Sequence, residues 1–181
     1  MIMGLFGKNR RRDAAHGIYV ALVEQARAPV FYQRLAVADT LDGRFDMILL
    51  HAFFVFLRLK DETGEGRQLS QDVFRVMFDD MDQSLREMGV GDLSVGKRVK
   101  EMAKAFYGRM NAYEAALTEG EAALKDALAR NLYRSQRPDD AVLVTMARYV
   151  VRQANGVIAQ PISHIRAGRL RFCSPPEIED R

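Results

Sequence analysis

The sequence contains a single cysteine and no tryptophan. The lone Cys173 excludes an internal disulfide framework and any metal site built from several cysteines, and this scarcity fits a reducing compartment. A secretory signal is missing as well, because the apolar start at residues 1–6 is too short and precedes the basic run instead of following it. We therefore expect the protein to remain in the cytoplasm, where it is made.

Catalytic and metal-binding constellations are also missing from the sequence. The three histidines, His16, His51 and His164, lie far apart, and no serine or cysteine is visibly paired with a base. None of the histidines belongs to a recognisable zinc motif. We predict no catalytic residue, no cofactor and no metal, and therefore no enzyme.

The densest group of carboxylates is formed by Asp79, Asp80 and Asp82. They lie in an acidic segment, residues 61–92, which carries nine acidic residues and three arginines. Their spacing lacks the pattern of a calcium-binding loop. Two interpretations remain, a solvated helix face or an acidic docking patch for a basic partner.

Apolar residues recur at helical spacing along most of the sequence, and no segment shows the alternation of apolar and polar residues that is typical of a strand. With 181 residues, of which 48% are hydrophobic and 28% charged, the chain has the length and composition of one globular domain. We predict an all-α fold, a single-domain bundle of about six helices. A flexible basic leader at residues 1–12 precedes the domain at 13–172, and residues 173–181 form a disordered tail. The alternative for the leader is an interfacial foot, with its apolar residues in lipid.

Residues 44–60, RFDMILLHAFFVFLRLK, contain an eleven-residue stretch that is apolar except for His51. Apolar residues point in every direction around this helix, so the helix at 45–60 should have neighbours on all sides and lie at the centre of the bundle. It is too short to span a bilayer, which takes about twenty apolar residues. His51 is either a core histidine with a hydrogen-bond partner or a ligand or acid-base group, and we favour the first.

Helix ends can be predicted from capping residues. Thr40 or Asp42 is suited to cap the central helix, and Ser70 is the predicted N-cap of the third helix. Gly89 should end that helix, because glycine readily adopts the left-handed conformation. The fourth helix should start near Ser94. One face of the third helix collects large apolar side chains: Phe74, Met77, Phe78, Met81, Leu85 and Met88.

Basic residues form separate clusters, one of which opens the fourth helix. It consists of Lys97, Arg98, Lys100 and Lys104, and the three lysines share a face because they are spaced i, i+3, i+7. Such a cluster suits the phosphates of RNA or of anionic head groups, and the alternative is a face that only keeps the protein soluble. A net charge of +3 and the lack of a base-reading motif argue against DNA binding.

Three segments together resemble the ubiquinol–cytochrome c chaperone family. They are the apolar helix with His51, the segment FDDMDQSLREMGVGDLSVGKRVK, and FYGR followed by NAY within residues 106–113. The resemblance covers roughly residues 20–155 in outline. The chain has no evident long transit peptide and looks like the compact bacterial form. The residues that carry the resemblance are His51, Phe106, Tyr107, Gly108, Arg109 and Tyr113.

The resemblance implies a non-enzymatic assembly factor for respiratory complex III. Such a factor binds newly made cytochrome b or a related membrane subunit as its client, works with a small protein partner and associates with the ribosome. On this interpretation the methionine-rich face of the third helix is the candidate client surface, unless it is core. The acidic patch would dock a protein partner. The basic cluster would meet ribosomal RNA or the inner face of the cytoplasmic membrane.

Two alternatives to an assembly chaperone remain open. One is a peripheral membrane-, ribosome- or RNA-binding module that acts through its basic surface. Salt-sensitive binding to liposomes or RNA that depends on the three lysines would identify it. The other is an enzyme that uses His51, which requires an open pocket at that residue.

Overall fold

The computed structural model describes residues 2–134 and 136–177, and their side chains from residue 9 onward. Within that range the chain forms no strand and eight α-helices: α1 (Ile2–Ala26), α2 (Pro29–Gln33), α3 (Leu41–Leu59), α4 (Glu65–Glu87), α5 (Asp92–Glu119), α6 (Glu121–Leu128), α7 (Asp140–Ile158) and α8 (Ile162–Arg166). A π-helical turn, Ala129–Tyr133, continues α6. Six of these helices have eight residues or more, which confirms the predicted all-α fold.

Helix α3 is covered on all sides. It packs against α1, α4, α5 and α7 and against the π-helical turn. From Phe45 to Val55 every residue except Ile48 is buried. This confirms the central position predicted from its all-round apolarity. Among the described helices, none is long and apolar enough to cross a bilayer, which agrees with the prediction for residues 44–60.

Thr40 and Gly43 fix the start of α3. The Thr40 Oγ1 accepts a hydrogen bond from the Gly43 N–H at 3.2 Å, so Thr40 is the N-cap. Asp42, the other residue suited to capping, lies in the first turn, where the helix dipole favours a negative charge. A Cβ atom at position 43 would lie 1.9 Å from the Ala38 carbonyl oxygen, so this close approach requires glycine.

Helix α4 starts earlier than predicted. It begins at Glu65, directly after Gly64, whose φ of 54° turns the chain into the helix. Ser70 lies inside α4, so its prediction as the N-cap was wrong. The physical reason is that the earlier start places Leu69 one turn before Val73, and both side chains are buried on the same helix face.

The α4–α5 hairpin turns at residues 88–93, which we call the hairpin tip. Gly89 has a φ of 81°, and its N–H donates to the Arg86 carbonyl at 2.9 Å. The Val90 N–H donates to the Leu85 carbonyl at 3.1 Å, which completes a Schellman motif. The end predicted at Gly89 is therefore confirmed. Helix α5 begins at Asp92, two residues before the predicted Ser94.

His51 is fully buried, and both of its ring nitrogens have hydrogen-bond partners. Nδ1 lies 2.8 Å from the Met47 carbonyl oxygen, and Nε2 lies 2.7 Å from Tyr149 Oη. Because a carbonyl only accepts, Nδ1 donates, and Nε2 accepts from Tyr149. Tyr149 Oη accepts in turn from Gln25 Nε2 at 3.0 Å, so these bonds join α3, α7 and α1. Burial lowers the pKa of His51 to about 4.

Residues 169–177, the C-terminal strap, lie against α7 without regular secondary structure. Gln153 Oε1 accepts from the Cys173 N–H at 2.9 Å, and its Nε2 donates to the Cys173 carbonyl at 2.8 Å. Gln160 holds Arg171 in the same way, at 3.0 and 2.7 Å. Between them the Phe172 ring packs edge-on against His51, with centroids 5.4 Å apart. Two glutamine side chains thus pair with the strap much as a neighbouring strand would.

The predicted leader and tail stay predictions. Helix α1 begins at Ile2, and Arg11 donates to Asp72 and to Gln68, which ties this part of the chain to α4. Cys173, the first residue of the predicted tail, is held by Gln153. Residues 178–181 of the tail, and the apolar side chains of the predicted interfacial foot, lie outside the described residues.

Acid should destabilise the protein through His51. Its pKa is lower in the folded protein than in the unfolded chain, so the unfolded chain binds the proton first and stability is lost below about pH 6.5. With a folded pKa of about 4, this group should lower the free energy of unfolding by about 2 kcal/mol between pH 7 and pH 5. Urea unfolding followed by circular dichroism at both pH values measures the change.

The variant His51→Gln should show a smaller decline with pH than the unaltered protein, because its side chain does not titrate. The matched control is His16→Gln, at an exposed site, which should retain the full decline. Equal declines in the His51→Gln and unaltered proteins would contradict the assignment to His51.

Candidate functional site

A cleft of about 670 Å³ opens between α3, α4 and α5, close to the hairpin tip. Three helices supply its apolar walls, and three of the six main apolar residues are methionines: Phe45 and Ile48 from α3, Met81, Leu85 and Met88 from α4, and Met102 from α5. Methionine side chains are unbranched and flexible, so they can adapt to apolar partners of different shape. The lip of the cleft is exposed at Leu41 and Met88, whose side chains are 53% and 52% accessible.

Charged side chains of both signs line the same cleft, and arginines outnumber the acidic residues. The five arginines are Arg27, Arg44, Arg98, Arg109 and Arg134, whereas the acidic residues are Asp42, Asp80 and Glu101. Three of these arginines pair with carboxylates beside the lining: Arg109 and Arg134 with Asp46, and Arg44 with Asp39. A cleft with apolar walls and an arginine-rich margin can bind an apolar segment that carries acidic or carbonyl groups at its ends.

Asp46 lies beneath the cleft in α3 and is 1% exposed. Its Oδ1 accepts a hydrogen bond from Arg134 Nη2 at 2.9 Å and lies 2.7 Å from Arg109 Nη2. Arg134 Nε lies 2.6 Å from Oδ2, so this guanidinium contacts both carboxylate oxygens. One carboxylate thus joins α3, α5 and the end of the π-helical turn.

The cations around Asp46 only partly offset its burial. Burial raises the pKa of Asp46, and the neighbouring Arg134 and Arg109 oppose that rise. Arg134 follows the π-helical turn with a φ of 51°, which non-glycine residues adopt rarely. Its Nη1 also donates to Asp42 at 2.9 Å. The ion pairs therefore hold a strained residue in place and give the cleft a fixed floor.

A second pocket, of about 510 Å³, lies further along the hairpin from the tip. Aromatic side chains line it: Phe56, Phe74, Phe78, Phe106 and Tyr107. The rings of Phe74 and Tyr107 are stacked with centroids 5.9 Å apart. Tyr107 is 58% exposed, so this pocket opens at the surface.

The predicted client face of α4 does not form one continuous exposed surface. Met77, Phe78, Met81 and Leu85 are buried, because α4 directs them towards the other helices of the bundle. These four residues therefore belong to the core, which was the alternative to a client surface. The face nevertheless borders both openings: Phe74 and Phe78 line the aromatic pocket, and Met81, Leu85 and Met88 line the cleft.

The three aspartates of the predicted acidic patch diverge around α4. Asp79 and Asp80 line a shallow pocket beside α1, where Asp80 accepts from Tyr19 Oη at 2.7 Å. Asp82 is paired with Arg86 at 2.6 Å and lies apart from that pocket. The docking patch stays a prediction, with Asp79 and Asp80 closest together.

The predicted basic patch divides into two parts. Lys97, Lys100 and Lys104 are exposed on one face of α5, in agreement with their helical spacing. Arg98 points to a different side and lines the cleft. The role of the patch stays a prediction.

Most residues that carry the family resemblance serve the core. Tyr107 and Gly108 are exposed, and four are buried: His51, Phe106, Arg109 and Tyr113. Because His51 is sealed from solvent and no substrate can reach its ring, the hypothesis of an enzyme that uses His51 is wrong.

Sequence reasoning missed the ion pairs of Asp46. A signal was present, because an aspartate in a helix predicted to be buried on all sides needs a cationic partner. The identity of the partners, Arg109 and Arg134, could not be read from local spacing, since both lie far along the chain. The α3 and α5 walls of the cleft were not predicted for the same reason, whereas Met81, Leu85 and Met88 of its α4 wall belong to the predicted client face.

Comparison with known proteins finds a matched family region that contains most of the cleft lining. A family model described as ubiquinol-cytochrome C chaperone matches residues 33–172. The chain is 26% identical over 148 residues to ubiquinol-cytochrome-c reductase complex assembly factor 1 of Xenopus laevis, which covers 82% of this chain and 74% of that protein. It is 24% identical over 152 residues to protein CBP3, mitochondrial, of Saccharomyces cerevisiae, covering 82% of this chain and 45% of that protein.

The human assembly factor 1 is likewise 26% identical, and the alignment covers 50% of its length, so the chain spans about half of the human and yeast relatives. A solved structure is similar over the whole fold. The crystal structure of the Cbp3 homolog from Brucella abortus matches with a TM-score of 0.85 at 32% identity. The match covers 99% of this chain and 100% of that chain.

Replacing Asp46 with asparagine should destabilise the protein strongly. The substitution keeps the shape of the side chain but leaves Arg109 and Arg134 without their shared counter-charge. Breaking a buried ion pair in this way costs about 3 kcal/mol. Urea unfolding of Asp46→Asn should show that loss.

The matched control is Asp42→Asn, which removes another partner of Arg134 from a site whose side chain is 72% exposed. A solvent-exposed pair contributes less than about 1 kcal/mol, so this variant should remain close to the unaltered protein. Equal losses in the two variants would show that the buried ion pairs do not support the floor of the cleft.

Proposed function

The chain belongs to the ubiquinol-cytochrome c chaperone family, and from this premise we propose that it is a non-enzymatic chaperone for the assembly of respiratory complex III. The observation that carries the proposal is the family match over residues 33–172, which includes most of the cleft lining and the Asp46 floor. The relatives named as assembly factors for ubiquinol-cytochrome c reductase support it.

The client in this proposal is newly made cytochrome b or a related membrane subunit. Before such a subunit is assembled, its apolar segments need to be covered, and the methionine-lined cleft has adaptable apolar walls to cover one. Arginines at the margin of the cleft can bind carbonyl or carboxylate groups at the ends of that segment. The fixed floor and flexible walls fit a protein that binds and releases its client without chemistry.

Other partners of the proposed chaperone would bind outside the cleft. Asp79 and Asp80 offer negative charge to a small protein partner, and the exposed lysines of α5 offer positive charge to the ribosome or to a membrane surface. We place the chaperone in the cytoplasm, at the inner face of the cytoplasmic membrane, since its client is inserted there.

A change at the lip of the cleft should weaken client binding. Leu41→Gln removes exposed apolar surface at the cleft without disturbing the core, and the lost burial should lower affinity about tenfold. Tagged unaltered and variant proteins are used to capture cytochrome b from the solubilised native membrane fraction. The amount recovered is measured from the haem spectrum and by peptide identification.

The matched control is Ile158→Gln, which removes a similar apolar side chain, 49% exposed, from outside the cleft. It should recover cytochrome b as well as the unaltered protein does. Recovery of cytochrome b by neither the unaltered protein nor the control would overturn the proposed client. Equal recovery with Leu41→Gln would overturn the cleft as its site.

Deletion of the gene gives an independent measurement. Loss of the chaperone should lower assembled complex III and cytochrome b while transcripts of their genes remain at normal levels. Normal complex III in the deletion strain would overturn the assembly role.

A further inference from the structure

One exposed face of α5 combines lysines with apolar and aromatic side chains. Leu93, Lys97, Lys100, Lys104 and Tyr107 recur at intervals of three and four residues, so they lie in a single row along the helix. The row is about 21 Å long. We call it the lysine face.

Both ends of the lysine face are exposed, although the Tyr107 ring also stacks on Phe74. Leu93 is 99% exposed at the hairpin tip, and Tyr107 is 58% exposed at the opposite end. The buried residues of α5, such as Val95, Phe106 and Tyr113, lie on the far side of the helix. A leucine that is almost fully accessible gains nothing in water, and its burial against a partner would be favourable.

The charges beside the row leave it positive. Asp92, next to Leu93, is paired with Arg86, which neutralises it locally. Glu101 lies on the neighbouring face of α5 and lines the cleft. The lysine face therefore presents three cations between an exposed leucine and an exposed tyrosine.

We propose that the lysine face binds the surface of an anionic phospholipid membrane. Leu93 inserts at the boundary between head groups and acyl chains, and Lys97, Lys100 and Lys104 pair with the phosphates. Tyr107 lies at head-group level, where aromatic rings with a polar tip are favoured. The helix lies flat on the membrane and does not enter the hydrocarbon core.

The exposed leucine at the tip distinguishes lipid from RNA. An RNA backbone would neutralise the lysines, but it offers no apolar layer for an exposed leucine at the tip. A membrane surface offers phosphates and an apolar layer at adjoining depths. Lipid therefore accounts for the whole row, whereas RNA leaves the exposed Leu93 unexplained.

Binding in this orientation would bring the cleft to the membrane. Met88 and Arg98 line the cleft and belong to the same hairpin tip and first turns of α5 as Leu93 and Lys97. The client cleft would then open beside the lipid surface. The lipid proposal itself does not rest on client binding, because vesicles without any protein suffice to test it.

Tryptophan fluorescence gives a direct test, since the chain has no tryptophan of its own. Leu93→Trp places one reporter at the tip, and Ile158→Trp places one at an exposed control site. On addition of vesicles that contain phosphatidylglycerol, Leu93→Trp should shift to the blue and be quenched by brominated acyl chains. Ile158→Trp should show neither effect.

Co-flotation with the same vesicles measures the two contributions separately. Leu93→Gln should lower vesicle binding about tenfold, and Lys97→Gln, Lys100→Gln and Lys104→Gln together about a hundredfold, since each lysine near an anionic surface contributes about fivefold. The charge-matched control replaces Arg67, Arg148 and Arg169 with glutamine, all exposed and away from the row. It should bind as the unaltered protein does.

Three results would overturn the proposal. The first is no binding of the unaltered protein to anionic vesicles at low salt, and the second is equal losses in the lysine and control triples. The third is an RNA shift that depends on the three lysines, is unaffected by Leu93→Gln and occurs without vesicle binding. In that case the face binds RNA, and the client proposal is untouched.

Discussion

A helix that is apolar on every side can exist in a folded protein only where other helices cover it, and this constraint orders the whole structure. Helix α3 meets it by packing against α1, α4, α5, α7 and the π-helical turn. Each of those elements buries its own apolar stripe in doing so. Polar groups on α3 must then find partners inside the bundle, and the contacts of His51 and Asp46 are the outcome.

The two polar groups have different consequences for function. His51 is neutral and enclosed by aromatic rings. It therefore links helices inside the bundle and contributes to no binding surface. Asp46 draws two arginines from distant parts of the chain to the base of a cleft, where they pair with its carboxylate. The cleft therefore has a rigid, charged floor and walls of flexible methionines. A protein that binds apolar segments of different shape needs both a fixed part and an adaptable part.

Features that depend on residues close together in the chain could be predicted from the sequence. The apolar spacing identified α3 as central, and Gly89 marked the end of α4, because both follow from neighbouring residues. Ser70 failed as an N-cap because the burial of Leu69 and the turn at Gly64 outweighed its capping preference. The Asp46 ion pairs and the cleft depend on contacts between residues far apart in the chain, and helical spacing holds no information on those. The family resemblance predicted a chaperone and, with it, a client surface on the third helix, of which Met81, Leu85 and Met88 line the cleft.

The pairing of Gln153 and Gln160 with the C-terminal strap affects how the sequence can vary. Each glutamine recognises the main chain of one residue, so the side chains of Arg171 and Cys173 do not contribute to these four hydrogen bonds. Phe172 between them fills a place beside His51. Substitution at 171 or 173 is therefore compatible with the pairing. A one-residue insertion or deletion before the strap is not, because it would bring a neighbour of Phe172 against the buried imidazole. At this edge of the fold, evolution can change residue identity more easily than chain length.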